Sequence, residues 1–335
     1  MVPTKLRAFI LAVMMASTTG LSFAQQLRSA AAIASSQHPT LWTEPTDIKM
    51  RNLYYGPGGE AGQPHGPLTF VKEDDAGTSP KFEVQDADGT KWKAKLGPEA
   101  QPETVATRLM WAVGFITNEN YFMSDVKVAE LPRLKRGQEF VAGDEVKAVR
   151  LQRKSDGKKV GNWNWRHNPF KGTREFNGLR VMMALLSNWD LNDNNNAILE
   201  DRQNPGHVLY EVSDLGASFG RSGKSYSDRM TKHNFAAYRR SKFISKRTRD
   251  HVDFAFPTHP PFLYAFNLPF FIGKMRNHWI GKHIPRADAK WIGSELALLS
   301  DEQIEDAFRA GGYSQQEAIQ YTAAVRARIT QLEEL

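Results

Sequence analysis

The stretch that most narrows what this chain can be runs from residue 186 to residue 220, LSNWDLNDNNNAILEDRQNPGHVLYEVSDLGASFG. An apolar run (Val181, Met182, Met183, Leu185, Leu186) leads into a loop crowded with short oxygen-bearing side chains. Asp190 is followed five residues later by Asn195, and a second apolar run, Val208 to Val212, delivers Asp214 within S-D-L-G. Phosphoryl transfer needs parts of this kind in this order: a carboxylate to position the attacking group, then an amide oxygen and a second carboxylate on Mg²⁺. Hard divalent cations take oxygen ligands, and Asn and Asp present them on short stems. Two other readings fit the same residues. Asn and Asp also turn chains without further function, because they bond their own backbone and tolerate left-handed angles. Asp190, Asn192, Asn194 and Asp201 fall at positions 1, 3, 5 and 12 of a calcium-binding EF-hand loop. Position 6 of that loop is Asn195 where Gly is required, and Pro205 and Gly206 follow where a helix should continue.

D-x-x-x-x-N followed by a strand and D-[FL]-G resembles the catalytic and metal-binding segments of the protein-kinase-like superfamily. N-W-D in place of H-R-D, and the long gap from Asn195 to Asp214, resemble its atypical members more closely, the HipA-like kinases and the type II phosphatidylinositol 4-kinases. The resemblance implies an α+β, two-lobed fold, with a small antiparallel β lobe plus one helix, a larger mainly helical lobe, and nucleotide in the cleft. It implies that Asp190 orients an acceptor hydroxyl and that Asn195 and Asp214 hold Mg²⁺ or Mn²⁺, with Asp193 and Asn196 assisting.

The chain of 335 residues is 41% hydrophobic and 24% charged, enough for a sizeable core divided between two lobes. Residues 1–24 have the pattern of a secretory signal: Lys5 and Arg7, then an apolar segment from Ala8 to Ala16, then Ser22-Phe23-Ala24 as a cleavage site after Ala24, with an uncleaved anchor as the alternative. A secreted or periplasmic protein is expected, and no later run is long and apolar enough for a transmembrane helix. The absence of cysteine fits an exported or a cytosolic protein equally. The expected division is 1–24 signal, 25–50 linker, 51–155 small nucleotide-binding lobe and 156–335 large lobe.

Gly56, Gly58, Gly59, Gly62 and Gly66 form a flexible loop, in which backbone N–H groups can approach phosphates; clusters of Gly and Pro also make plain turns. The Asp88-Gly89 pair predicts a hairpin, so residues 68–96 read as an antiparallel meander. In KWKAKLG, alternation sets Trp92, Ala94 and Leu96 on one face and Lys91, Lys93 and Lys95 on the other. A helix is predicted next, with Pro102 at its start, Glu103 in its first turn and Gly114 at its stop. By resemblance, Lys95 binds the nucleotide phosphates and pairs with Glu103, with Lys93 and Glu99 as the alternates. Gly56, Gly58, Gly59 and Lys93 join Lys95 at the nucleotide. Thr173 is placed to cap the helix that delivers Asp190.

Beyond Asp214 the chain is basic (Lys224, Arg229, Lys232, Arg239, Arg240, Lys242, Lys246, Arg247, Arg249), which suits an acidic partner or a solvated helical surface. The apolar stretch 256–273 is broken by prolines and reads as buried in the larger lobe. Ser300 with Gln303 and Ser314 with Glu317 match capping boxes of two C-terminal helices. There is no H-E-x-x-H, no Walker A sequence and no G-x-S-x-G, so zinc hydrolase, P-loop and α/β-hydrolase chemistry lack their motifs.

The expected function is phosphoryl transfer from ATP, with Mg²⁺ or Mn²⁺, to a hydroxyl on a protein, lipid or small molecule; no nucleic-acid partner is expected. The alternative is a non-catalytic exported pseudokinase, or a calcium- or ligand-binding protein using the Asp/Asn loop.

Overall fold

Alternating side chains in the first half of the chain, and helical periodicity in the second, divide the molecule into a barrel and a helical body. The computed structural model describes residues 38–75, 77, 79–154, 157–220, 234–256 and 277–335. The signal pattern at 1–24, the basic residues Lys224, Arg229 and Lys232, and nearly all of the apolar stretch 256–273 lie outside the described residues.

After a short β1 (His38–Thr40), strands β2 (Leu68–Glu73), β3 (Lys81–Gln85) and β4 (Lys91–Leu96) form the expected meander. Asp86 organises the β3–β4 turn: one carboxylate oxygen accepts from the backbone N–H groups of Asp88 and Thr90, the other from the indole of Trp92. In β4 the apolar set Trp92, Ala94 and Leu96 is buried inside the barrel, so the lysines point the other way.

Helix α1 (Ala100–Ala112) follows, then β5 (Asn120–Ala129), β6 (Val141–Ala142) and β7 (Glu145–Arg153). The sheet runs β4-β3-β2-β5-β7 and closes, because β4 also pairs with β7, with β6 appended to β7. The wholly antiparallel lobe expected from the sequence is therefore corrected. β2 and β5 pair in parallel through Leu68↔Val128 and Thr69↔Ala129. Five strands closed into a ring cannot alternate direction throughout, so one neighbouring pair must be parallel; closure in return leaves no long open edge.

Helix α1 starts at Ala100, earlier than predicted, with Pro102 inside the first turn. There a missing N–H costs nothing, because the first four N–H groups of a helix lack intrahelical partners. Its apolar residues Val105, Leu109, Met110 and Val113 join the large helical core and not that of the barrel. Close approach on that side depends on Gly311, where a Cβ would lie 2.8 Å from Val105 Cγ2. The polar side of α1 grips the barrel: Arg108 Nη2 donates to the Asn120 carbonyl at 2.6 Å, and Glu103 pairs with Arg150 at 3.1 Å. The helix expected to belong to the small lobe is thus shared.

Strands β8 (Lys159–Gly161), β9 (Asn196–Glu200) and β10 (His207–Val212) make a second sheet with β1, in the order β1-β10-β9-β8. Between β8 and β9 lies α2 (Arg174–Leu185), capped by Thr173, whose hydroxyl accepts from Phe176 N–H. Then come α3 (Phe235–Arg240), the small sheet of β11 (Ile244–Arg247), β12 (His251–Phe254) and β13 (Ile284–Pro285), and α4 (Arg286–Ala297), α5 (Asp301–Ala310) and α6 (Gln315–Glu333). Both predicted capping boxes are present, on α5 and α6.

Buried Arg328 of α6 closes the C-terminal end of α2. Its guanidinium donates to the Leu185 carbonyl (2.8 Å), Ser187 Oγ (3.0 Å) and the Tyr238 carbonyl (2.9 Å), and lies 3.8 Å over the Tyr238 ring. A cation there meets the negative end of the helix dipole and orphan carbonyls together. It anchors the chain just where the loop carrying Asp190 begins.

Candidate functional site

A cleft of about 410 Å³ lies between the outer face of β4 and β7 and the loops around β9 and β10; Lys93, Lys95, Asp190, Asn195, Glu211 and Asp214 are among its lining residues. Its centre is Lys95. Strand alternation turns this side chain out of the barrel, and α1 then covers it, leaving it 5% exposed. Lys95 Nζ lies 2.6 Å from Glu99, 2.9 Å from Glu103 and 2.6 Å from Asp214. Glu99 and Glu103 are four residues apart across the first turn of α1, so they share one helix face and converge on the same ammonium. The open choice between them ends with both on Lys95, whereas Lys93 instead faces Asp74 at 3.6 Å.

The electrostatics follow from this packing. Burial alone would lower the pKa of Lys95, but Glu103, Asp214 and Glu99 outweigh it and hold the ammonium far above the ordinary lysine value. Burial would likewise raise Asp214; the Lys95 charge prevails and keeps the carboxyl below the usual range. Asp214 follows β10 in a left-handed conformation, φ 53°. Asp is one of the few side chains that enters that region at modest cost, and such backbone angles collect at functional sites. The Ser213 hydroxyl bonds the Asn195 carbonyl and ties the two loops together.

Asn195 Nδ2 donates to the Asp190 carbonyl (3.0 Å) and carboxylate (3.3 Å), while Asp190 N–H donates to Asn188 Oδ1 (2.9 Å). Asp190 and Asn195 are thus braced against each other, and both line the cleft with Asp214.

Asp193 departs from its expected place as a metal residue. Its two oxygens accept from Asn164 Nδ2 (2.5 Å) and Trp165 N–H (3.0 Å), and it does not line the cleft. It clamps the N-W-N-W segment, where the indole of Trp163 also donates to the Glu211 carbonyl, against the Asp190 loop. Nor does the chain beyond this loop follow the calcium pattern. After Asn195 it enters strand β9 instead of a helix, and the Asp201 carboxylate folds onto its own turn at Gln203 and Asn204.

Gly56, Gly58 and Gly59 are also misplaced by the expectation. None lines the cleft. A Cβ on Gly58 would lie 2.1 Å from Tyr121 Oη, and one on Gly56 2.3 Å from the Arg108 guanidinium; Tyr121 Oη donates to the Gly59 carbonyl at 3.0 Å. These glycines let the loop pack against barrel side chains. The loop that does reach the cleft joins β2 to β3 and contributes Gly77 and Ser79. Ser79 Oγ donates to Glu99 at 3.0 Å. Its signal in the sequence was a run of small residues between the first two barrel strands, ahead of the strand bearing Lys95.

Glu211 was also missed. It lines the cleft at 8% exposure, paired across the strands with Ala197. Burial pushes its pKa up to about 7, against the opposing pull of Lys159 and Arg150. A lone carboxylate in the apolar run Val208 to Val212 was the available signal.

No family model matches the chain, and no curated protein matches it. Among solved structures, the proinflammatory kinase CtkA of Helicobacter pylori is similar at 12% identity and a TM-score of 0.34, over 79% of this chain and 98% of that one.

Proposed function

We propose that this protein is a kinase-like phosphotransferase that moves a phosphoryl group from ATP, with Mg²⁺ or Mn²⁺, to a hydroxyl acceptor. The observation that carries this reading is the convergence of Lys95, Glu103 and Asp214 beside the braced Asp190–Asn195 pair in one cleft. A calcium loop has no use for a buried lysine held by a helical glutamate. The donor set suits a hard cation: Asp214 offers carboxylate oxygens, and Asn195, which donates through Nδ2, keeps its amide oxygen as a ligand atom.

In this reading Lys95 binds the donor phosphates, held in place by Glu103, which Arg150 in turn fixes from the barrel side. Asp190 accepts the hydrogen bond of the acceptor hydroxyl and takes its proton as the new P–O bond forms and the bond from the γ-phosphorus to the departing ADP breaks, while Asn195 keeps the Asp190 carboxylate oriented. Asn195 and Asp214 are the residues that would hold the metal ion, which when bound neutralises charge on the transferring phosphoryl oxygens. The exposed Arg239, Arg240, Lys246 and Arg247 favour an acidic acceptor, whether protein, lipid headgroup or small molecule. The N-terminal signal pattern makes export from the cytoplasm part of the same proposal.

Thermal shift of the purified protein with ATP, in the presence and absence of Mg²⁺ or Mn²⁺, tests the reading. The expected result is stabilisation only when nucleotide and metal are both present, lost in Asp214→Ala. Stabilisation by Ca²⁺ alone that survives in the variant would overturn it.

A further inference from the structure

Lys95 has three N–H donors and no more. In this structure two of them go to Glu103 (2.9 Å) and Asp214 (2.6 Å), and the Glu99 carboxylate lies in ion-pair contact at 2.6 Å, so three carboxylates crowd the ammonium. If the cleft takes nucleotide phosphates, as proposed above, one carboxylate must leave before Lys95 can donate to a phosphate oxygen. The three differ in how firmly they are held. Glu103 is 1% exposed and shared with Arg150, so it cannot withdraw without stranding a second buried cation. Asp214, whose side chain is 44% exposed, is the metal ligand of the proposed function and can turn to the ion without leaving the cleft. Glu99 is different. It precedes the first turn of α1, and its carboxylate lies where the phosphate-facing parts meet: on Lys95, on Ser79 of the β2–β3 loop and against Gly216 of the D-L-G segment. At Gly216 a Cβ would fall 2.6 Å from Glu99 Cβ, so only glycine admits this approach.

We infer that Glu99 is a built-in competitor for the donor phosphate, occupying the Lys95 and Ser79 donors until phosphate displaces it. A carboxylate and a phosphate carry charge of the same sign and need the same N–H and O–H groups, so they exclude each other there. Glu99 and Glu103 then have opposite effects on affinity although both touch Lys95: Glu103 positions the lysine, and Glu99 occupies it. Release of Glu99 also frees Ser79.

Calorimetric titration of wild type, Glu99→Gln, Ser79→Ala and Glu103→Gln with Mg·ATP and, separately, with Mg²⁺ and inorganic tripolyphosphate tests this. Glu99→Gln is expected to bind both ligands about tenfold more tightly than wild type. Ser79→Ala, a loop change that leaves both cores intact, removes a donor from Glu99 and from the phosphate alike and should change affinity by less than Glu99→Gln does, and Glu103→Gln should bind more weakly. If wild type and Glu99→Gln bind Mg·ATP equally, or the variant binds more weakly, the competitor role is overturned and nucleotide binding stands. If Glu99→Gln gains affinity for tripolyphosphate while no protein binds ATP, the competitor role stands and the nucleotide assignment falls. Binding of neither ligand by any of the proteins overturns both.

Discussion

Two loops beside the barrel core invite comparison. Residues 52–66 are rich in glycine and would be chosen by eye to wrap a phosphate, yet they pack on Tyr121 and Arg108 away from the cleft. Residues 74–80 carry one glycine, and they line the cleft through Gly77 and Ser79. The difference lies in topology. The second loop joins two strands of the sheet that also holds Lys95 and reaches the cleft through Gly77 and Ser79; the first precedes the barrel altogether. Glycine content reports that a backbone comes close to something, and in residues 52–66 that something is the protein itself. The same contrast recurs four residues apart on α1, where one glutamate is locked between two buried cations and the other is wedged under a loop.

The contrast can be broken or sharpened by substitution. The largest effect is expected at the locked end of α1. Glu103→Ala leaves Lys95 and Arg150 without their shared buried partner and should cost about 3–5 kcal/mol, read from the denaturation midpoint. A loss under about 1 kcal/mol would show that the pair is not held as described.

Gly58→Ala comes next. Its Cβ would strike Tyr121 Oη, so a loss of about 1–3 kcal/mol is expected, with Mg·ATP affinity of the folded variant unchanged. Weakened nucleotide binding at full stability would instead put this loop on the phosphates and reverse the comparison. Ser79→Ala should do the opposite: stability within about 0.5 kcal/mol of wild type, with the change appearing in phosphate affinity.

The last comparison concerns pH. The Glu211 carboxyl is raised by burial to about 7 from an ordinary 4.5, so the folded state holds its proton where the unfolded chain has released it. That contribution to stability is fully present below the unfolded value and is lost as pH rises through the folded one. The melting temperature should therefore fall between about pH 5 and about pH 8, and Glu211→Gln should flatten the fall. An unchanged slope in the variant would assign the pH dependence to other groups.

Much was legible in the sequence because it depends on neighbours along the chain. Alternation in KWKAKLG separated the barrel-facing residues from the lysines. Thr173, Ser300 and Ser314 marked helix starts, since a cap bonds the backbone two or three residues away. The order Lys95, Glu103, Asp190, Asn195, Asp214 was readable, and the fold brings those side chains to one cleft region. Asp193 misled because a short carboxylate between two asparagines looks the same whether it faces a cation or, as here, an N-W-N-W segment about thirty residues earlier.

The sequence by itself determined the β2–β4 meander, the caps of α2, α5 and α6, and which residue types are available for chemistry, because those choices rest on contacts within a few residues. Tertiary structure alone decided the rest. Closure of an odd ring of strands forced the parallel β2–β5 pair, and close packing at Gly311 drew α1 onto the helical body. One turn of that helix then brought both Glu99 and Glu103 onto Lys95, although either alone would have matched the sequence pattern. These outcomes depend on how distant surfaces meet, and no local spacing records that.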